Sequence, residues 1–170
     1  QGPFNLLCLL RGTQEFMLDL LEEDEDVIMH ALEWTTKAHI AFAKAQLEAG
    51  ANVTSMGDAY ASPNLIAPTY YRKYALPFEK KVVEAVQNEN KLYSIHICGD
   101  TNGIIADMGT TGAKILEIDW KLDMKKAREL VPDNVLLMGN VNPSDPLYLG
   151  TPEKVDQNVK KIIEDTKGVG

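Results

Sequence analysis

The feature that most restricts the fold of this sequence is an alternation of short apolar segments with longer segments of helical periodicity. Four short segments with strand-like composition begin at residues 52, 92, 114 and 135. Each interval between them holds one predicted helix. Parallel strands require such crossover connections, so the pattern predicts repeated βαβ units and an α/β fold with a parallel sheet.

The boundaries of the predicted elements follow from the same pattern. We expect strands at 52–56, 92–98, 114–118 and 135–138, and helices at 27–45, 71–86, 123–131, from about residue 103 and from residue 152. The last helix is the best marked, because Thr151 fits its N-cap and Pro152 its first position. Residues 5–10 and a segment beginning at Val169 are weaker candidates for further strands.

The helix predicted at 27–45 is amphipathic by its spacing. Its apolar positions recur every three to four residues and include Val27, Trp34 and Phe42. The acidic run at 22–26 crowds its start, where the helix dipole favours negative charge. This segment is therefore the clearest long helix of the sequence.

The length of the chain limits the architecture. A closed (β/α)8 barrel usually takes ~250 residues, so a barrel formed by these 170 residues would be incomplete. An open doubly wound sheet suits the length better, but such a sheet usually has a glycine-rich first turn, and no GxGxxG pattern is present. No repeat, low-complexity tract or linker divides the chain, so we predict one domain over residues 1–170.

Composition excludes several classes of function. The chain has 17 Lys+Arg against 25 Asp+Glu, and this net charge of −8 disfavours binding to nucleic acid or to an anionic membrane. No apolar run approaches the ~18 residues of a membrane span, and no signal peptide is apparent, so we expect a cytoplasmic protein. Two cysteines cannot form a disulfide framework.

The most informative residues are His96 and Cys98, at the end of the strand predicted at 92–98. Alternate residues of a strand face the same side, so both side chains can point into one pocket. Imidazole and thiolate suit zinc, which would need further ligands. The structural alternative is a buried Cys beside a hydrogen-bonded His, and a third reading makes Cys98 a nucleophile with His96 as its base.

Other polar residues lie at predicted strand ends, where parallel α/β folds place their chemistry. Asp58 and Asp119 are candidate catalytic carboxylates, and Asn140 is a candidate substrate-binding residue. The structural alternatives are an Asx turn for Asp58 and helix capping for the other two. The run 99–103 (GDTNG) can cradle an anion on free N–H groups, or its glycines simply form a tight turn.

Several motifs resemble those of one known superfamily. They are 2–4 (GPF), 96–101 (HICGDT), 117–120 (EIDW), 138–143 (MGNVNP) and 150–155 (GTPEKV). In this order they are similar to the uroporphyrinogen decarboxylase superfamily. The His-x-Cys pair resembles its corrinoid-linked branch, the methylcobamide:coenzyme M methyltransferases.

The resemblance implies a (β/α)8 barrel whose N-terminal segment and C-terminal units are missing here. It implies a zinc ion held by His96, Cys98 and a third ligand, a cysteine beyond Gly170, and a methyl group moved from a corrinoid on a partner protein to a small thiol. A tetrapyrrole decarboxylase without metal and a non-catalytic binding or assembly fragment are the alternatives. An incomplete barrel exposes apolar strand edges, so we also expect self-association.

Overall fold

The computed structural model describes residues 1–88 and 90–169 and is built around a four-stranded parallel sheet. The strands are β1 (Val53–Gly57), β2 (Leu92–His96), β3 (Ile115–Glu117) and β4 (Leu136–Met138), and they are neighbours in this order. All three strand pairs are parallel. The α/β prediction is therefore confirmed, and successive parallel strands with intervening helices match a sector of a (β/α)8 barrel.

Helices precede, separate and follow the strands. They are α1 (Pro3–Arg11), α2 (Thr13–Glu22), α3 (Glu25–Glu48), α4 (Pro68–Tyr70), α5 (Leu76–Val86), α6 (Ile105–Met108), α7 (Met124–Leu130) and α8 (Pro152–Asp165). The π-helical turn Tyr71–Ala75 joins α4 to α5, and a second π-helical segment spans Pro143–Tyr148. Thr151 caps α8 as predicted, with its hydroxyl accepting the N–H of Lys154. Among the described residues, no helix combines the length and apolarity needed to cross a membrane.

The sheet has one face in the core and one face open. Met56, Tyr93, Ile95, Leu116 and Leu137 project toward the helices and are almost fully buried. The opposite face would line the interior of a barrel. In register along it, at the carboxyl ends of the strands, lie Gly57, His96, Glu117 and Met138.

Residues 5–10 form most of α1, so the weaker strand prediction there is wrong. Pro3 lies in the first turn, where a missing N–H costs nothing, and Phe4 and Cys8 are buried one helical turn apart. An uninterrupted apolar run is compatible with a strand or with a buried helix, and the proline at the first helical position favours the helix. The other weak candidate, a strand beginning at Val169, would continue through Gly170, which falls outside the described residues, so it stays a prediction.

The buried face of α3 differs from the predicted one. Val27, Trp34 and Phe42 are 56%, 59% and 61% exposed. The buried positions of α3 are Ile28, Leu32, Thr35, Thr36, His39 and Ala43. Polar residues fit this face because both threonine hydroxyls donate to the carbonyl of Leu32 and His39 pairs with Tyr93.

A buried carboxyl group lies on the inner side of α5. Glu79 has no solvent exposure, and the hydroxyl of Tyr71 donates to its Oε2 over 2.7 Å. Burial, followed by the charge of Asp58, raises the pKa of Glu79 from 4.5 to about 8. The folded chain therefore holds a proton that the unfolded chain releases at a lower pH.

Glu79 makes the stability of the fold depend on pH. The stability contributed by the neutral carboxyl is complete below pH 4.5 and is lost as the pH rises through about 8. In the wild type, this carboxyl makes the unfolding free energy fall by on the order of 1 kcal/mol for each pH unit across this range. We expect Glu79→Gln to remove that part of the slope when unfolding free energy is measured by urea titration at several pH values. Glu84→Gln, at an exposed position of the same helix, is the control. Equal slopes in wild type and Glu79→Gln would contradict the assignment.

The exposed face of α3 generates a second prediction. Because its large apolar side chains are uncovered, we expect the chain to associate with itself as concentration rises. Trp34→Lys with Phe42→Lys should weaken this association, and their effect on unfolding free energy should stay within ~0.5 kcal/mol because both sites are exposed. Light scattering over a series of concentrations provides the measurement. A wild-type chain that stays monomeric throughout would show the prediction to be wrong.

Candidate functional site

His96 and Cys98 meet at the carboxyl end of β2. His96 is the last residue of the strand and Cys98 follows two residues later, and His96 Nε2 lies 3.1 Å from Cys98 Sγ. The side chains are therefore on the same side, as the two-residue period of a strand predicts. His96 is partly buried and Cys98 is exposed, so the protein surrounds part of the imidazole while the thiol is accessible to solvent.

Backbone contacts orient the imidazole. His96 Nδ1 lies 3.0 Å from the carbonyl oxygen of Glu117 on the neighbouring strand. A carbonyl only accepts, so Nδ1 bears the proton and neutral His96 presents an unprotonated Nε2 to Cys98. Metal-binding histidines commonly use such a contact to fix their tautomer and ring plane.

The chemistry of the two donors fits zinc. A tetrahedral ion with ordinary Zn–N and Zn–S distances separates a nitrogen and a sulfur ligand by about 3.6 Å. The observed 3.1 Å requires a movement of only about half an ångström. Within the described ranges, no group of three or more His, Cys, Asp and Glu residues is arranged to hold a metal ion. Among the described residues, His96 and Cys98 thus form a pair of candidate donors.

The electrostatics of Cys98 favour a ligand over a free nucleophile. Partial burial, followed by the negative charge of Asp119, raises the pKa of the Cys98 thiol above its ordinary value. A nucleophilic cysteine needs the opposite shift, because its thiolate is the reactive form. A metal ligand is also a thiolate, but a bound zinc ion would itself lower the pKa, whereas a free nucleophile depends on its protein surroundings, which here raise it.

Asp119 and Asn140 lie beside this pair and brace the neighbouring loops. Asp119 Oδ2 accepts the N–H of Gly99 over 2.8 Å, and its Oδ1 accepts the N–H of Lys121 over 2.9 Å. Asn140 Nδ2 donates to the carbonyls of Asp119 and Leu122, over 3.0 and 2.6 Å. Both side chains hold backbone in place, and the catalytic role of Asp119 and the substrate-binding role of Asn140 stay predictions.

Asp58 does not reach an open pocket, in contrast to the sequence-based expectation. Its side chain has no exposure, and Oδ1 accepts the N–H of Asn5 in the first turn of α1 over 2.6 Å. Burial raises the pKa of Asp58 to about 7, and N–H groups of Asn5 and Phe4 oppose the rise. The residue follows β1 as predicted, but α1 covers it, which the sequence pattern did not reveal.

The run 99–103 forms a turn in which three of the five backbone N–H groups have side-chain acceptors. The N–H groups of Gly99, Asp100 and Asn102 donate to Asp119, to Asn64 and to the side chain of Asp100, respectively. An anion would have to displace these acceptors. Three of the five N–H groups of this run therefore already have acceptors, which favours the tight-turn alternative.

Sequence reasoning missed the polar neighbours of His96 on the open face. Glu117 lies beside His96 in register, and its carboxylate accepts the hydroxyl of Ser94 over 2.5 Å. Ser94 lies two residues before His96, and Glu117 is the register partner of His96, so both side chains are on the same face of the sheet as the imidazole. This shared face identifies them once the register is known. A carboxylate, a hydroxyl and an imidazole thus lie together on the face that would line a barrel.

The fold and these side chains define a class: a parallel α/β protein of barrel type with a candidate metal and thiol site at its strand ends. The sequence matches the uroporphyrinogen decarboxylase (URO-D) family over residues 1–170. The chain therefore belongs to this family, and the resemblance seen in its motifs is confirmed.

Individual relatives are more specific. The chain is 36% identical to methylcobamide:CoM methyltransferase MtbA of Methanosarcina mazei, over 99% of this chain and 49% of that protein. It is 30% identical to uroporphyrinogen decarboxylase of Prochlorococcus marinus, over 86% of this chain and 41% of that protein. A solved methyltransferase from Methanosarcina mazei superimposes with a TM-score of 0.90 and 31% identity, over 97% of this chain and 48% of that one. The chain spans about half the length of the curated relatives it matches.

The tautomer of His96 is a direct test of the site geometry. We expect nitrogen NMR at a pH where the ring is neutral to show the proton on Nδ1, because the Glu117 carbonyl accepts it. Exposed His30 serves as the internal reference for an unconstrained ring. A proton on Nε2 of His96 would contradict the geometry and remove the lone pair that a metal requires.

Proposed function

We propose that this chain is part of a zinc-dependent enzyme that moves a methyl group from a methylated corrinoid protein to a small thiol such as coenzyme M. The observation that supports this most is the contact between His96 Nε2 and Cys98 Sγ at a strand end. The names of the methyltransferase relatives agree with the same reaction. We further propose a cytoplasmic location and a single domain over residues 1–170.

His96 and Cys98 are the residues that would hold the zinc ion. When bound, zinc lowers the pKa of a coordinated thiol from ~8.5, so that the sulfur is nucleophilic at neutral pH. The Glu117 carbonyl fixes the imidazole plane, and the Asp119 carboxylate fixes the backbone at Gly99, next to Cys98. The exposed side of Cys98 leaves room for a thiol substrate. A further cysteine ligand, predicted beyond Gly170, would complete the protein's share of the shell.

The tetrapyrrole decarboxylase alternative needs cationic side chains to hold propionate groups. Two cations contact the loop after β2: Arg72 pairs with Asp107 and donates to the carbonyl of Gly103, and Lys126 donates to Asn102. A decarboxylase of this kind would also have no use for a paired imidazole and thiol. The paired imidazole and thiol therefore favour the methyltransferase proposal, and metal content separates it from the decarboxylase.

Zinc binding to this chain should be measurable but weak, because two protein ligands leave half of the tetrahedral shell to water. We expect His96→Ala and Cys98→Ala each to reduce zinc affinity by about tenfold or more, with the metal-free melting temperature nearly unchanged. Cys8→Ala is the matched control, since Cys8 is fully buried. It should leave zinc affinity unchanged and cost about 1 kcal/mol of stability.

The same substitutions in a longer protein that includes this chain should abolish metal retention and methyl transfer from a methylated corrinoid together. Elemental analysis and a thiol methylation assay give the two readouts. A longer protein that holds no metal, or that methylates thiols equally well without His96 and Cys98, would contradict the proposal and favour the decarboxylase alternative.

A further inference from the structure

We infer that Asp58 is a positioning residue for the metal-ligand pair: its carboxyl fixes the start of α1, and its backbone N–H holds the carbonyl of His96. The inference rests on the proposed function, which makes His96 a metal ligand. It replaces the catalytic role predicted for Asp58 with one in which the residue acts through His96.

The carboxyl group joins two elements that are distant in sequence. Asp58 follows β1, and its Oδ1 accepts the N–H of Asn5 over 2.6 Å. Asn5 returns the contact, because its side-chain Oδ1 accepts the N–H of Tyr60 over 3.3 Å. The N–H of Gly2 donates to the carbonyl of Gly57 over 2.9 Å. The first turn of α1 is thus locked to residues 57–60 by three hydrogen bonds.

Close packing makes this arrangement sensitive to small changes. A Cβ atom on Gly2 would lie 2.4 Å from Asp58 Cγ, which real contacts do not allow. The residue at this position must therefore be glycine while the carboxyl keeps its place. Asp58 Oδ2 is buried and has no hydrogen-bond partner among the described residues. Such a local cost is of the kind that proteins accept at functional sites.

The backbone of Asp58 transmits its position to the candidate site. Its N–H donates to the carbonyl oxygen of His96 over 2.9 Å. This bond follows directly after the last register pair of β1 and β2, which is Gly57 with His96. On the other side, His96 Nδ1 contacts the Glu117 carbonyl. His96 is therefore held between two backbone contacts, and Asp58 makes one of them. A metal-ligand pair needs positions accurate to about half an ångström, so a shift of the Asp58 backbone after loss of its carboxyl should misplace Nε2.

The test compares Asp58→Ala with Asp58→Asn in the 170-residue chain, with Glu79→Gln as control. Glu79 is an equally buried carboxyl, and its hydrogen bond is to Tyr71 instead. We expect Asp58→Ala to weaken zinc binding in calorimetry by about tenfold or more, as loss of outer contacts commonly does. Asp58→Asn keeps an acceptor oxygen and should stay close to wild type, and Glu79→Gln should not change zinc affinity.

A second readout requires no metal. The ring signals of His96 in NMR spectra should shift in Asp58→Ala and stay in place in Glu79→Gln. Gly2→Ala displaces the same carboxyl from the other side and should shift them as well, which keeps the test decisive if Asp58→Ala does not fold.

The outcomes are distinguishable. A loss of stability with unchanged zinc affinity and unchanged His96 signals would overturn the inference, because Asp58 would then be merely structural. Absence of zinc binding by the wild type would count against the proposed function. In that case the His96 signals still decide whether Asp58 positions this residue.

Discussion

Hydrogen bonds that run across the carboxyl ends of the four strands fix the geometry of the candidate site. Asp58 donates to His96, His96 to Glu117, Gly99 to Asp119, and Asn140 to Asp119. Each link joins the end of one strand to the end of the next. Loops are usually more mobile than the elements they connect, and these contacts restrain the loops at this edge of the sheet. The His96 and Cys98 pair lies in the middle of that edge.

The same sheet is incomplete at its sides. β1 and β4 are the outer strands, α3 leaves an apolar face uncovered beside β1, and α8 borders an apolar cleft of about 550 Å³ beside β4. The uncovered face of α3 is the surface through which we expect the chain to associate with itself.

Local patterns in the sequence were sufficient to predict the parallel sheet and the proximity of His96 and Cys98. Strand composition, the spacing between strands and the period of two place His96 and Cys98 together without any tertiary information. The buried face of α3 was predicted wrongly, because the prediction used hydrophobicity alone. Polar side chains can also be buried when they have hydrogen-bond partners. Thr35, Thr36 and His39 have such partners, and only the folded chain shows them. Asp58 illustrates the same limit, since no local pattern indicates that α1 covers it. Glu117 became visible only with the strand register.

The proposed function requires His96 and Cys98 to bind one zinc ion together. X-ray absorption at the zinc edge of the zinc-loaded chain measures the atoms around that ion. We expect one imidazole nitrogen at about 2.0–2.1 Å, one sulfur at about 2.3 Å and light atoms in the remaining positions. The sulfur scatterer should vanish in Cys98→Ala and persist in Cys8→Ala. A shell of oxygen and nitrogen alone in the wild-type chain would contradict this expectation.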